Sequence, residues 1–312
     1  MNVFVTGATG FVGTYVIRAL LERGHTVRAL VRPGSEGRLD ARDDAGVTPV
    51  PGDVGKPDTL NGALDGADAV VHLVGIIEEA PSKGATFERM HVEATRNVVG
   101  AASAAGVSRF VHMSACGARG DAPSRYLTTK WAAEELVRAA GFAHGVVFKP
   151  SLLFGDPDPH GTGAVRPEFA TRLWTTLVRP FPVLPVFGDG RYAVQPIHVD
   201  AVARAFAQAL DVPAAAGRTF VAAGPERIPY DDVLDRIAQG AGRKPKPKLH
   251  LPLGLSRLMV NTLGRAHLLP IQPAQFEMLV EGNTGDPTDF FSTFTVETPR
   301  FDPEHLRYVV DA

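Results

Sequence analysis

Val3-Phe4-Val5-Thr6-Gly7-Ala8-Thr9-Gly10-Phe11-Val12-Gly13 is a short apolar run that meets glycines at 7, 10 and 13. The run reads as a strand. Beyond it, Val12, Tyr15, Val16, Ala19 and Leu20 recur at i, i+3, i+4, i+7 and i+8, the stripe of a helix lying on a sheet, and Gly24 stops it. A helix N-terminus presents unpaired N–H groups and the positive end of its dipole. Glycines there let an anion reach the backbone and let the helix pack closely on the strand. The spacing is GxxGxxG. A strand, this triplet and an amphipathic helix in immediate succession point to a pyrophosphate of a dinucleotide rather than to a structural turn.

Outward from that unit, short runs rich in Val, Ala, Leu and Phe alternate with helical spacing, the pattern of repeated βα units on a parallel sheet. Strands are expected near 2–6, 26–31, 47–50, 68–73, 108–113 and 144–149, and helices near 11–23, 57–64, 85–105 and 125–140. The fold class is therefore α/β, a doubly wound parallel sheet of Rossmann type. After Pro150 the regularity breaks. Residues 1–149 hold 19 Gly and 6 Pro, whereas 150–312 hold 13 Gly and 19 Pro, so the two parts are built differently. Regular pattern returns at 197–211 and 218–241. We expect a Rossmann domain over 1–155 that the chain re-enters at 197–222, and a smaller, discontinuous C-terminal α/β domain from 156–196 and 223–312.

The 312 residues carry 32 Lys and Arg against 34 Asp and Glu, which argues against nucleic acid as a partner. One cysteine, Cys116, allows neither an internal disulfide nor a thiolate cluster, and the ten histidines show no close pair at metal spacing, so no metal is expected. The first apolar run meets Gly7 at once, which leaves no room for a signal core, and no stretch reaches the ~20 apolar residues of a spanning helix. The expected location is cytoplasmic, with the membrane surface as an alternative contact.

The second strand ends at Arg32, where an NAD enzyme would place a carboxylate for the ribose hydroxyls. A guanidinium there suits a 2′-phosphate, which favours NADP(H) over NAD(H), with Arg28 able to share the role. Asp53, followed by Val54 after the third strand, is placed either to accept from adenine or to form a turn. Tyr126 and Lys130 are four apart on an expected helix and share a face; random placement of 5 Tyr and 7 Lys gives about 0.1 such pairs. A phenol of pKa ~10 is a poor acid–base group near neutrality, and a neighbouring ammonium favours its phenolate. Ser114, at the end of the fifth strand, offers a hydroxyl to hold a carbonyl against that phenol.

The loop from Thr6 to Gly13, the Ser114, Tyr126 and Lys130 set, and Lys149-Pro150-Ser151 after the sixth strand resemble the short-chain dehydrogenase/reductase superfamily, extended or atypical type, which includes epimerase/dehydratase-like proteins. The stretches 184–190 and 195–200 are similar to the NADPH-binding accessory subunit of mitochondrial complex I and its free-standing bacterial relatives. The resemblance implies an NAD(P)-binding oxidoreductase. Gly7, Gly10 and Gly13 would face the pyrophosphate, and Thr9, Phe11 and Val12 of the same loop would also bind the cofactor. Asp53 and Val54 would meet adenine, and Leu73, Val74 and Gly75 the middle of the cofactor. Lys130 would bond the nicotinamide ribose, and Pro150 and Ser151 the carboxamide. Tyr126 would exchange the proton as hydride moves to or from a carbonyl of a small hydrophobic substrate.

Two other readings stand beside that one. A relative in complex I binds the nucleotide as an accessory protein, so a non-catalytic accessory or assembly role near a respiratory or quinone-related complex is the first alternative. Nucleotide-sugar epimerase or dehydratase chemistry is the second. Against it, Val194-Gln195-Pro196 stands where many such enzymes carry Arg-Asp-Phe, with Arg191 as a substitute cation. His198 reads as a buried, hydrogen-bonded histidine; His160 and Arg166 lie in a Pro/Gly loop that reads as a lid. Trp174, Phe181 and Phe187 read as core of the smaller domain. Within 243–269, Arg243, Lys244, Lys246 and Lys248 precede a stripe of Leu255, Leu258, Met259 and Thr262, with Leu251 and Leu263 nearby. That stretch reads as a solvated linker and a core-facing helix, with a membrane-surface or protein contact as the alternative.

Overall fold

The computed structural model describes residues 1–166, 168–260, 262, 276–277, 279–280 and 282–311. Strands β1 (Asn2–Thr6), β2 (Thr26–Val31), β3 (Val47–Pro51), β4 (Ala69–His72), β5 (Arg109–Met113) and β6 (His144–Pro150) occupy the six expected positions to within one residue. Short strands β7 (Leu153–Phe154), β8 (Leu184–Phe187), β9 (Ala193–Val194) and β10 (Ile197–His198) follow. β11 (Thr219–Ala222) then returns to the large sheet beside β6, and β12 (Ile228–Pro229) pairs antiparallel with β9. The order is β11-β6-β5-β4-β1-β2-β3 with every pair parallel, a Rossmann-type doubly wound sheet. Its winding reverses between β1 and β4. Such a switch point opens a crevice at the carboxyl ends of the strands.

Helices α1 (Phe11–Glu22), α2 (Ala94–Ala104), α3 (Arg125–Ala139), α4 (Phe169–Leu173), α5 (Val199–Ala209), α6 (Tyr230–Gly240) and α7 (Leu253–Met259) complete the frame. β1 shows why the sheet needs two covers. Its alternating side chains send Val3 and Val5 into a core with α1 and α5, and Phe4 into a core with α2 on the other face. Phe290 and Phe294 join Phe148 and Phe220 in the first of these cores, so part of the chain beyond 223 also packs on the large sheet. A further core gathers Trp174, Leu184, Val186 and the buried face of α6.

Four expectations change. Residues 57–64 form a single 3-10 turn, Pro57–Leu60, because Gly62 and Gly66 take φ of +70° and +73° and end any helix there. The 85–105 helix opens with a π-helical turn, Glu88–Glu93, before α2 begins. Phe181 is exposed rather than core, since its carbonyl and those of Val178 and Arg179 accept from Lys246 Nζ, which holds the segment at the surface. On α7 the buried positions are Ser256 and, just beyond, Val260, whereas Leu255 and Leu258 are 49% and 63% exposed, so the stripe does not face the core. Leu263 lies outside the described residues. Among the described residues no helix is long and apolar enough to cross a membrane.

Candidate active site

The glycine loop is tight for reasons that can be named atom by atom. Gly7 has φ +77°, and a Cβ there would stand 3.1 Å from the Leu73 backbone, which locks the end of β1 against the end of β4. A Cβ at Gly13 would stand 2.3 Å from the Gly7 carbonyl oxygen and 2.8 Å from that of Ala8, so only glycine lets α1 start this close to its strand. Gly10, the N-cap of α1, brings no side-chain oxygen to the first-turn N–H groups. Those donors and the helix dipole suit an anionic group, and the donor set fits a dinucleotide pyrophosphate. Thr9 and Phe11 lie in the loop half-buried, and Val12 is buried.

The adenosine side is more mixed. Arg32 stands exposed one residue past β2 and has no ion-pair partner among the described residues. Arg28 cannot share its role, since its guanidinium donates to the carbonyls of Ala63 and Asp65 at 3.0 Å each. Asp53 Oδ1 accepts from Gly55 N–H at 2.9 Å, the turn-forming arrangement, and the Val54 carbonyl accepts from Asn97 Nδ2. Across the loop, Arg166 is buried. Its Nε donates to the Thr9 carbonyl at 2.8 Å and its Nη2 to Asp40 at 2.6 Å. Arg166 thus fastens the Pro/Gly loop to the glycine loop and to the segment beyond β2.

On α3, Tyr126, Lys130, Glu134 and Arg138 follow one another at i+4 along one stripe. Lys130 is buried. Its Nζ donates to the Met113 carbonyl at 2.5 Å and would stand 3.4 Å from a Cβ on Gly75, so β4, β5 and α3 converge on the ammonium. Burial lowers its pKa from 10.5 to about 8, against the opposing pull of Glu134. Tyr126 packs beside Ala115, Ala122 and Leu127, with the edges of Phe87 and His91 against its ring at 5.7 and 5.3 Å. Burial pushes its phenol up to about 12. The expected lowering by Lys130 does not appear in this geometry, where desolvation alone sets the shift.

His91 is the residue that sequence reasoning missed. The π-helical turn delivers it to the junction: its Nδ1 pairs with Thr129 Oγ1 at 2.8 Å, its Nε2 lies 3.0 Å from the Ile76 carbonyl, and it flanks the same Gly75 that Lys130 does. Burial and the Lys130 charge push its pKa down to about 3, so it is neutral. His72 and His112 stack below at 5.4 Å and are also held neutral by burial. Glu134 was missed as well, although the i+4 arithmetic that found Lys130 reaches it. It is fully buried and accepts from Ser114 Oγ, from Arg138 Nη2 at 2.6 Å and from Lys149 Nζ at 3.2 Å.

That contact corrects the reading of Ser114. Its single hydroxyl proton is donated to a buried carboxylate, which leaves none for a substrate carbonyl. Ser151 is likewise committed: its N–H donates to the Ala222 carbonyl at 2.9 Å and its hydroxyl to the Gln195 carbonyl at 2.5 Å. The Pro150 carbonyl accepts from Cys116 N–H. The reason is the β6–β11 ladder, whose register runs to Pro150 and Ala222 and which takes up the Ser151 N–H as its last donor. The expected carboxamide contact at 150–151 has no free backbone N–H.

Beside Leu127 lies a cavity of about 160 Å³ lined by Cys116, Gly117, Arg119 and residues 282–284. It is below the ~300 Å³ at which small-molecule pockets begin. Gln195 is buried behind that lining, with its N–H on the Asn283 carbonyl, Nε2 on the Gly224 carbonyl at 2.6 Å and Oε1 on Gly285 N–H. Arg191 lines a different pocket with Asp189, Asp231, Asp232 and His250. Neither supplies the paired cations that a sugar nucleotide calls for. His198 caps α5, its Nδ1 accepting from Asp200 N–H.

Comparison with known proteins matches residues 3–223 to the NAD dependent epimerase/dehydratase family. The chain is 25% identical over 252 residues to the mitochondrial NADH dehydrogenase [ubiquinone] 1 alpha subcomplex subunit 9 of Dictyostelium discoideum, covering 80% of this chain and 66% of that one. It is 34% identical over 206 residues to a ceramide reductase of Caulobacter vibrioides, covering 64% and 57%. The chain thus spans about three fifths of the length of these curated relatives. Among solved structures, gox2253 superposes with a TM-score of 0.75 at 25% identity, over 99% of this chain and 96% of that one.

Proposed function

The chain belongs to the NAD dependent epimerase/dehydratase family, whose members bind nicotinamide dinucleotides, and from that premise we propose that it is an oxidoreductase using NADP(H) on a carbonyl or alcohol of a small hydrophobic substrate. The observation that carries this reading is the convergence of the glycine loop, Gly75 and buried Lys130 beside Tyr126. A bound nicotinamide supplies or accepts the hydride. Tyr126 donates its phenolic proton as charge grows on the carbonyl oxygen, and Lys130 lies one helical turn on along the same face of α3. With the Ser114 proton engaged by Glu134, Tyr126 is the hydroxyl donor of the three. The apolar neighbours of Tyr126 and the lipid substrate in the ceramide reductase's name both support a hydrophobic substrate.

Fluorescence titration with NADPH and NADH tests the cofactor, and failure to bind either sinks the reading. Arg32→Glu is expected to abolish the preference for the phosphorylated form; an unchanged preference removes Arg32 from the site. Tyr126→Phe is expected to lower kcat by about 10²-fold or more while cofactor affinity stays within a few-fold. A second reading, a nucleotide-binding accessory protein without turnover, is favoured by the engaged Ser114, the raised Tyr126 pKa and the complex I relative. It gains if wild-type protein binds NADPH yet reduces nothing in a carbonyl panel that includes quinones.

A further inference from the structure

Strand β13 (Lys248–Leu251) runs parallel to β8, with Lys248 opposite Leu184 and His250 opposite Val186. Registered partners in a sheet share a face, so these four side chains point one way. That way is inward. Leu184 and Val186 are fully buried against α6, and Lys248 and His250 pair with Asp235 and Asp231 of the same helix at 2.6 and 2.9 Å. Leu249, two-residue alternation from Leu251, therefore points outward together with Pro185 and Phe187, and Val183 continues the same row. Phe276 covers the Phe187 end at 5.2 Å. The other end is open, with Leu249 57% and Val183 44% exposed. Leu255 and Leu258 of α7, which follows β13 in the chain, and Phe181, two residues before Val183, are exposed as well.

The segments that build this face are cationic in sequence, and the carboxylates against them, Asp231, Asp235 and Glu277, are engaged in pairs. Residues 241–260 contain five cations and no carboxylate, and residues 174–188 contain one cation and no carboxylate. Lys248 and Arg257 are neutralised by Asp235 and Glu277. Arg179, Arg243 and Lys244 remain exposed without an ion pair among the described residues, and Lys246 donates only to carbonyls. We propose that the outer face of β8, β13 and α7 docks on the surface of an anionic lipid bilayer, leucines in the headgroup boundary and Arg179, Arg243 and Lys244 on the lipid phosphates. Exposed apolar side chains in segments that also carry cations without an ion pair match that surface in both chemistry and sign. The docking stands independently of turnover at Tyr126.

The test is co-sedimentation of the full chain with phosphatidylcholine vesicles, with and without about 30% phosphatidylglycerol. Binding is expected to the anionic vesicles alone, and to weaken as salt rises. The pair Leu255→Asp and Leu258→Asp, both at exposed positions, is expected to reduce the bound fraction about tenfold at an unchanged melting temperature. Arg243→Gln with Lys244→Gln is expected to move the salt at half-binding downward. Absence of binding to either vesicle overturns the proposal, as does undiminished binding by the leucine variant. Equal binding to neutral vesicles overturns the electrostatic match. A dimer in sedimentation velocity that the leucine variant dissolves assigns the face to a second copy of the chain instead.

Discussion

Lys130 shows at a single residue how the site is set against stability. Its pKa is 10.5 in an exposed chain and about 8 when folded. Between those values the unfolded chain holds a proton that the folded one has lost, so stability rises with pH across roughly pH 8 to 10.5. Below pH 8 both states are protonated and the burial penalty is present in full, on the order of 3 kcal/mol. Lys130→Met, which keeps the aliphatic bulk, is expected to flatten this rise and to narrow or reverse its stability deficit as pH falls from 10 to 7. Urea midpoints at the two pH values measure it. A rise of equal steepness in the variant would assign the pH dependence to other groups. The neutrality of His72, His91 and His112 belongs to the same economy of charge, because a second cation beside Lys130 would lower its pKa further.

At the scale of elements, what could be read in advance was whatever repeats along one helix or strand. The stripe of α1, the six sheet strands and the Tyr126–Lys130 spacing are local patterns, and each appears where its period puts it. Contacts between distant segments left no such pattern. His91 reaches the site through a π-helical turn, Ser151 loses its donors to a ladder completed by β11, and Arg166 finds Asp40 across 126 residues of chain. Period also failed to say which side of α7 faces inward. Two variants probe these elements. Gly13→Ala places a Cβ against the Gly7 and Ala8 carbonyls, which cannot swing aside as side chains do. It is expected to cost about 1–3 kcal/mol and to weaken NADPH binding together with stability. Asp40→Ala leaves Arg166 buried without its carboxylate, since both side chains are 4% exposed, and is expected to cost about 3–5 kcal/mol in urea unfolding. Adding Arg166→Met should recover much of that loss, whereas additive losses would show that the pair is not coupled.

Across the whole molecule, the chain passes from the large sheet to the second core and back before either is complete. α5 covers the face of the sheet that α1 begins to cover, β11 closes the β6 edge, and Phe290 and Phe294 fill the space over Phe148 and Phe220. A fragment of residues 1–155 lacks all three contributions. It would expose Val16, Leu20 and Phe148, which are fully buried in the intact chain, so it is expected to remain unfolded and to bind no NADPH despite containing the glycine loop, Tyr126 and Lys130. Phe290→Ala tests the same coupling in the full chain. Phe290 lies beyond residue 223, packs 6.1 Å from Phe148 and has no exposed surface, and its truncation is expected to cost about 3–5 kcal/mol. If the two cores unfold as one cooperative unit, circular dichroism and the fluorescence of Trp174 in the second core, read in a Trp131→Phe background because Trp131 lies on α3, will show coincident transitions shifted together in the variant. A transition that moves by circular dichroism while the fluorescence transition stays in place would divide the molecule into two independent units, and would return to residues 1–155 the autonomy that β11 and Phe290 here deny them.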